Sequence, residues 1–197
     1  MAPAFELLAV GASAGGPEAI EALLTRLPAD APPIVIVQHM PQTFVPLLVR
    51  RLDDICPMRV RIAAGGEVPA PGSAYIAPGT HHLIVEQHDE VLRLRLTRGP
   101  HVSFQRPSVD VLFQSIAKLA GVRVVAALLT GMGHDGAAGM VALRAAGHVT
   151  IAEDESSCAV FGMPREAIAR GAVDYVLPLP EIGRVALKLS GGAGDGL

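Results

Sequence analysis

A single serine stands among glycines and alanines near the start of the chain. Residues 11–15 read G-A-S-A-G, which matches the G-x-S-x-G pattern of a nucleophilic serine on a tight turn between a strand and a helix. Small neighbours let such a turn close and leave the hydroxyl open to a substrate. The N–H groups at the helix start face any negative charge that develops there. Ser13 is therefore a candidate nucleophile for acyl transfer.

The same turn has two other interpretations. Glycine-rich turns between a strand and a helix also bind phosphates in dinucleotide-binding folds, but here the glycines follow G-x-x-x-G-G instead of G-x-G-x-x-G. The next strand ends in Gln38-His39, where such a fold would be expected to supply an acidic residue for the ribose. A structural turn with an incidental serine is the other interpretation. The alternative function is accordingly a non-catalytic nucleotide-binding or regulatory α/β module.

A serine hydroxyl needs a neighbouring base, and the base needs a third group that fixes its tautomer. His39 follows the predicted strand 34–37, and Asp135 lies in the turn after the predicted strand 123–129. Ser13 also follows a short apolar run. Because the carboxyl ends of parallel strands share one edge of a sheet, we expect Ser13, His39 and Asp135 to lie close together as nucleophile, base and orienting carboxylate.

The turn that contains Asp135 reads T-G-M-G-H-D-G-A-A-G. Its glycines favour a site over a simple helix cap, and they allow the N–H of Met132 or Gly133 to serve as an oxyanion donor. Two alternatives compete with this assignment. Asp135 is also a good N-cap for the helix that follows, and capping can coexist with catalysis. His134 is a rival base, although sequence neighbours rarely orient one another's rings in a triad.

Cysteine and histidine spacing gives no support for a metal site or a disulfide framework. Cys56 and Cys158 lie far apart and without a C-x-x-C pair, which predicts two reduced thiols. The apolar neighbours of Cys158 favour a structural thiol over a nucleophile. His81 and His82 are adjacent on a predicted strand and would face opposite sides of it. We therefore expect neither a metal nor a cofactor.

The elements that must position these residues alternate in the pattern of an α/β fold. We predict a mostly parallel, doubly wound sheet flanked by helices, with an antiparallel insertion in the middle of the chain that contains a β-hairpin near His88-Asp89. The predicted strands cover 7–10, 34–37, 123–129, 149–152 and 174–177, and the predicted helices begin after Gly16 and near 44, 109, 137 and 164.

Composition limits the classes of function. The chain has 197 residues, 50% of them hydrophobic and 18% charged, with a formal net charge of -3. The sequence has no basic stripe for nucleic acid, no polybasic membrane patch, no secretory signal and no apolar run long enough to span a bilayer. We expect a cytoplasmic protein that binds no nucleic acid and does not insert into a membrane. Residues 1–189 are predicted to form one domain, and 190–197 a disordered glycine-rich tail.

Six segments resemble the signatures of one family, in the same order along the chain. They read GASAGG, QHMP, AYIAPG, RPSVDVLF, LLTGMGHDGAAGM and CAVFGMPREAI. Together they resemble the catalytic domain of the CheB-type protein-glutamate methylesterases of bacterial chemotaxis. The resemblance implies a serine hydrolase that removes methyl esters from glutamate side chains of chemoreceptors, releases methanol and often deamidates glutamines. It assigns Ser13, His39 and Asp135 as nucleophile, base and orienting residue.

The resemblance also implies partners and residues that line the substrate. The main partner is the cytoplasmic helix bundle of a methylated chemoreceptor, and Met132 lines the oxyanion site. Family members carry an N-terminal receiver domain, whereas this chain starts almost at the catalytic strand. We therefore expect no receiver domain in these 197 residues, which are either an isolated catalytic domain or a naturally short enzyme, and a receiver domain supplied elsewhere is a candidate partner. Ala14, beside the nucleophile, replaces the threonine usual in the family, so the hydrogen bond of that hydroxyl is expected to be absent.

Overall fold

Seven strands within residues 6–189, the part of the chain that this computed structural model describes, form one parallel sheet. In chain order these strands are β1 Leu7–Ala12, β2 Ile34–Gln38, β3 Arg59–Ile62, β4 Ser73–Ile76, β7 Val124–Leu128, β8 Val149–Glu153 and β9 Tyr175–Leu177. Two more strands, β5 His82–His88 and β6 Val91–Thr97, pair with each other as an antiparallel hairpin. The predicted α/β class and the hairpin in the middle of the chain are confirmed.

The sheet is doubly wound around β1. Its strand order is β3-β4-β2-β1-β7-β8-β9, so the chain first builds one half of the sheet on one side of β1 and then returns to β7 on the other side. Gly11 of β1 pairs with Val37 of β2 and with Leu128 of β7. The carboxyl ends of β1 and β7 therefore meet where the strand order reverses, which is where open α/β sheets bind ligands.

Helices cover both faces of the sheet because its central strands are apolar on both sides. In β1, Leu8 and Val10 pack into one layer, while Leu7 and Ala9 pack into the other. The helices are α1 Gly16–Leu24, α2 Val45–Ile55, α3 Val109–Ile116, α4 Ala137–Ala145, α5 Met163–Ala169 and α6 Leu179–Leu189, with a short 3-10 turn at Gln42–Phe44. The first layer contains α1, α2 and α6, and the second contains α3, α4, α5 and the hairpin.

Two parts of the structure differ from the predictions made from the sequence. β3 and β4 come from the turn-rich middle of the chain, yet they pair in parallel with the main sheet, so that the hairpin alone of this region is antiparallel. The predictions assign no element to 179–189, where α6 packs Ile182 and Ala186 into the core. The predicted tail, 190–197, lies outside the described residues. Among helices of 6–189, none combines the length and the apolar character needed to cross a membrane.

Candidate active site

Three turns at the carboxyl edge of the sheet carry the predicted residues. Ser13 follows β1, His39 follows β2, and Asp135 lies in the turn after β7. Backbone pairing continues beyond the strands. The Ser13 N–H donates to the Thr130 carbonyl at 3.0 Å, and the His39 N–H donates to the Ala12 carbonyl at 3.0 Å. The backbones of Ser13 and His39 are thus held against the neighbouring strands.

Ser13 and His39 line one open cavity of about 490 Å³. The rest of its wall comes from residues 40–42, from Gly79 and from the loop 101–107 that precedes α3. The Ser13 side chain is half-buried, and its hydroxyl forms no hydrogen bond with any residue of 6–189. The cavity therefore presents an unengaged hydroxyl to a substrate that approaches from solvent.

His39 and Asp135 form a buried hydrogen-bonded pair. The Nε2 atom of His39 lies 2.8 Å from the Oδ2 atom of Asp135, and the two side chains are 6% and 3% exposed. An ionised carboxylate can only accept hydrogen bonds, so Nε2 carries the proton and donates it. In the neutral ring Nδ1 then holds a lone pair, and this atom is buried without a partner in residues 6–189. The basic nitrogen of His39 is therefore Nδ1.

Asp135 accepts four hydrogen bonds, one of them from His39. The other three come from the start of α3, namely the Ser108 hydroxyl at 2.7 Å and the N–H groups of Val109 at 2.7 Å and Asp110 at 3.0 Å. Burial opposes ionisation of this carboxyl, but the hydrogen bonds from His39, Asp110 and Ser108 hold its pKa below the ordinary value. Asp135 is consequently an anion at neutral pH and can stabilise a positive charge on His39.

The capping role expected for Asp135 is found, but at a different helix. The helix that follows it, α4, starts behind Gly136, and the side chain that caps this start is Asp110, which accepts the Gly139 N–H at 2.7 Å. Asp135 instead accepts the first N–H groups of α3, an earlier segment of the chain. The Asp110 carboxyl lies next to it, and burial, together with the Asp135 charge, raises the pKa of Asp110. Two neighbouring carboxyl groups thus have pKa values displaced in opposite directions, and Asp135 is the one whose ionised form its surroundings favour.

Glycine backbone in the turn after β7 lies against Ser13. A Cβ atom at Gly131 would lie only 2.8 Å from the Cβ of Ser13, so the two turns can approach this closely only with glycine there. The N–H groups of Ala14, Met132 and Gly133 have no acceptor within residues 6–189. The Met132 side chain is 74% exposed. These three N–H groups are therefore available to an anionic ligand or intermediate.

The sequence model described as CheB methylesterase matches residues 8–186. The chain belongs to the CheB methylesterase family. It is 50% identical, over 186 residues, to protein-glutamate methylesterase/protein-glutamine glutaminase 3 of Geobacter metallireducens. This match covers 94% of the present chain and 52% of that protein. It is 51% identical, over 182 residues, to protein-glutamate methylesterase/protein-glutamine glutaminase 1 of Anaeromyxobacter dehalogenans, with coverage of 92% and 52%.

A solved CheB structure has the same fold. The crystal structure of the Thermotoga maritima CheB methylesterase catalytic domain matches with a TM-score of 0.91 and 36% identity, and the match covers 94% of this chain and 99% of that one. The present chain spans about half the length of the curated relatives it matches. The shared part is therefore the part that corresponds to the CheB catalytic domain.

Two buried side chains support the site of this CheB-family chain although the sequence does not mark them as functional. His82 is 1% exposed; its Nδ1 accepts the Ser108 N–H at 3.1 Å, and its Nε2 donates to the Pro100 carbonyl at 2.8 Å. Ser108, fully buried, donates in turn to Asp135. Only the position of Ser108 before a helical pattern signals a capping role in the sequence. Its contact with Asp135 depends on tertiary packing.

The rival residues are placed less favourably. His134 is exposed, and its side chain bonds to no residue in the range 6–189. Burial, with the Glu153 carboxylate adding to it, raises the pKa of the Cys158 thiol to about 12, and burial raises the pKa of Cys56 to about 11. Thiols with such pKa values are poor nucleophiles at neutral pH. The described residues bring no three His, Cys, Asp or Glu side chains close enough to hold a metal ion.

Proposed function

We propose that this chain is the catalytic domain of a cytoplasmic serine hydrolase that removes methyl esters from glutamate side chains of chemoreceptors. Ser13 is the nucleophile, His39 the general base, and Asp135 the carboxylate that orients and stabilises the ring. The observation that carries the proposal is the buried 2.8 Å bond from His39 to Asp135, which leaves Nδ1 without a proton in a side chain that lines the same cavity as Ser13. Membership of the CheB methylesterase family supports the choice of substrate.

In the first half-reaction the Ser13 oxygen attacks the ester carbonyl. As the new C–O bond forms, the Ser13 proton passes to Nδ1 of His39. Asp135 remains ionised and stabilises the imidazolium. The oxyanion accepts hydrogen bonds from free backbone N–H groups beside the nucleophile, for which Met132 and Gly133 are suited. The imidazolium then protonates the leaving oxygen, methanol departs, and the glutamyl group stays bound to Ser13.

The second half-reaction repeats these proton transfers with water. His39 takes a proton from the water at Nδ1 while the oxygen of the water attacks the acyl carbon. The proton is returned to Ser13 as the acyl bond breaks, so glutamate is released and the enzyme is restored. The same steps deamidate a glutamine, with ammonia in place of methanol. The free Ser13 hydroxyl is compatible with this scheme, because catalytic hydrogen bonds often tighten only when substrate is bound.

The partner in this proposal is the cytoplasmic helix bundle of a methylated chemoreceptor. Phe104 belongs to the cavity wall and is 92% exposed. It lies on a turn in which Ser103 and Phe104 have φ values of +51° and +62°, a conformation that is costly for non-glycine residues. A large aromatic side chain held in solvent beside an open cavity is suited to contact with a protein. A receiver domain is the regulatory partner in the same proposal.

Release of methanol from a methylated receptor tests the function directly. Ser13→Ala and His39→Ala should each lower the rate by about 10³-fold or more, because nucleophile and base act as one unit. Ser156→Ala is the matched control: Ser156 is exposed and bonds to Asp154, so this variant should release methanol at the rate of the unmodified chain. Equal release from the unmodified chain and from Ser13→Ala would refute the mechanism.

A fluorophosphonate probe separates the hydrolase from the alternative nucleotide-binding module. The hydrolase should be labelled at Ser13, and labelling should disappear in His39→Ala because the hydroxyl is then no longer activated. A chain that binds nucleotide tightly and takes no label at Ser13 would instead be a binding module.

A further inference from the structure

Gln38 is the last residue of β2, and its side chain connects the nucleophile to the base. Its Nε2 donates to the Ser13 carbonyl at 2.8 Å and to the His39 carbonyl at 2.9 Å. The residue is only 2% exposed. An amide nitrogen has two N–H groups, and here both are used. One buried side chain therefore binds the backbone of both residues whose separation decides whether a proton can pass between them.

The surroundings of Gln38 hold the amide in this orientation. Gly16, the first residue of α1, lies against it, and a Cβ at Gly16 would overlap the Gln38 Oε1 atom. That Oε1 is buried and has no partner within residues 6–189. An unpartnered buried oxygen offsets part of what the two hydrogen bonds contribute to stability. The gain from this glutamine is therefore mainly the fixed geometry of the two carbonyls to which it donates.

We propose that Gln38 is a positioning residue for acyl transfer, which holds the turns of Ser13 and His39 at the spacing that lets the hydroxyl reach Nδ1. The proposal rests on the function proposed above. Gln38 is no part of the cavity wall, so it acts through Ser13 and His39 and not on the substrate. Its loss should change the rate of the chemical step and leave substrate binding unchanged.

Gln38→Met is the direct test, because methionine keeps the length of the side chain and removes both N–H donors. A displacement of reacting groups by about 1 Å can cost on the order of 10²-fold in rate. We expect kcat for methanol release to fall by about 10-fold to 10²-fold with KM unchanged. The rate constant for fluorophosphonate labelling of Ser13 should fall by the same factor, since labelling needs the same proton transfer but no receptor.

Thr150→Val is the matched control for a purely structural effect. Thr150 is fully buried on β8, and its hydroxyl donates to the Asp174 carboxylate at 3.0 Å and accepts the Asp174 N–H at 3.1 Å. Like Gln38→Met, this change removes two hydrogen bonds from a strand residue, but neither reaches the cavity. It should lower the thermal midpoint and leave the labelling rate of the folded protein unchanged.

The outcomes are distinguishable. Labelling of Gln38→Met at the unmodified rate would overturn the positioning role, and so would an equal loss of labelling in Thr150→Val. Absence of labelling in the unmodified chain would refute the proposed function, and the positioning role with it. Should Gln38→Met not fold, Gln38→Asn replaces it: its amide is neutral and one methylene shorter, so its nitrogen no longer reaches both carbonyls, and the same slower labelling with unchanged KM is expected.

Discussion

Ser108→Ala removes one of the four donors to Asp135 and leaves the other three in place. The Ser108 hydroxyl donates to Oδ1 at 2.7 Å, inside the protein and to a charged acceptor. It also accepts the Val111 N–H as the N-cap of α3, at a long 3.4 Å. A hydrogen bond to a charged group contributes roughly 1.5–3 kcal/mol, and the long cap bond falls at the low end of the range for N-caps, about 0.5 kcal/mol. Together, the loss of these contributions should lower the free energy of unfolding by about 2–3.5 kcal/mol.

The pH dependence of this loss is the informative part. The pKa of Asp135 is lowered in the folded chain, so its charge contributes stability above the unfolded value of about 3.9, and this contribution disappears as the pH falls through the lower folded pKa. Without the Ser108 hydroxyl the folded pKa of Asp135 rises toward its ordinary value. The difference in unfolding free energy between the two proteins should therefore be full at pH 7 and shrink as the pH falls below about 4.

Urea unfolding measures the difference in unfolding free energy between the unmodified chain and Ser108→Ala. The measurement is repeated at successive pH values, from 7 down to the lowest pH at which the fold persists. At pH 7 the thermal midpoint should also fall by roughly 4–14 °C for a chain of this size. Ser115→Ala is the control within the same helix, because Ser115 donates to the Leu112 carbonyl and accepts the Val85 N–H, both uncharged groups. Its loss should be independent of pH. A loss for Ser108→Ala that stays constant over the whole range would refute the account of how Asp135 is kept ionised.

Two further predictions concern the rim of the cavity and the thiols. Phe104→Ala should raise KM for a methylated receptor by about tenfold, the equivalent of about 1.4 kcal/mol of lost apolar contact, and leave the hydrolysis of a small soluble ester unchanged. The control is Tyr175→Ala, which changes an exposed aromatic residue on another cavity and should alter neither rate. Equal effects of Phe104→Ala on both substrates would exclude a receptor contact for Phe104. Because burial raises the pKa of Cys158 to about 12, iodoacetamide at pH 7.5 should alkylate this thiol far more slowly than free cysteine and without loss of activity. Mass spectrometry follows the alkylation. Rapid alkylation that abolishes methanol release would contradict the assignment of Ser13 as the nucleophile.

The location of the site follows from simple features of the sequence. Ser13, His39 and Asp135 each come after a short apolar run, and the rule that parallel strands share a carboxyl edge is enough to place them near one another. The strands β1, β2 and β7 are buried along their whole length, so their apolar runs are unmistakable. The roles of the three residues remain proposals, but their approach to one edge is predictable without knowledge of any side-chain contact.

The supporting contacts could not be predicted in the same way. Donation from the start of α3 to Asp135 joins segments 25 to 27 residues apart, and no local pattern marks which helix a distant carboxylate will cap. β3 has a single buried residue, Val60, and so carries too little apolar pattern to reveal its parallel partner. α6 is the exception, because its buried residues Ile182 and Ala186 follow an i, i+4 helical spacing that the sequence itself contains.

Asp135 links the stability of the domain to its proposed chemistry, because one carboxylate serves both. One of its oxygens accepts His39 and Val109, and the other accepts Ser108 and Asp110. A change at Asp135 itself removes the acceptor of the first α3 N–H groups together with the partner of His39, so a loss of activity in such a variant has no unique interpretation. Ser108 reaches Asp135 without touching His39, and Gln38 holds the backbone of His39 without touching Asp135. Variants at these two neighbours therefore separate the electrostatic contribution of the Asp135 carboxylate from the spacing of the proposed base, which substitutions of Ser13, His39 or Asp135 cannot do.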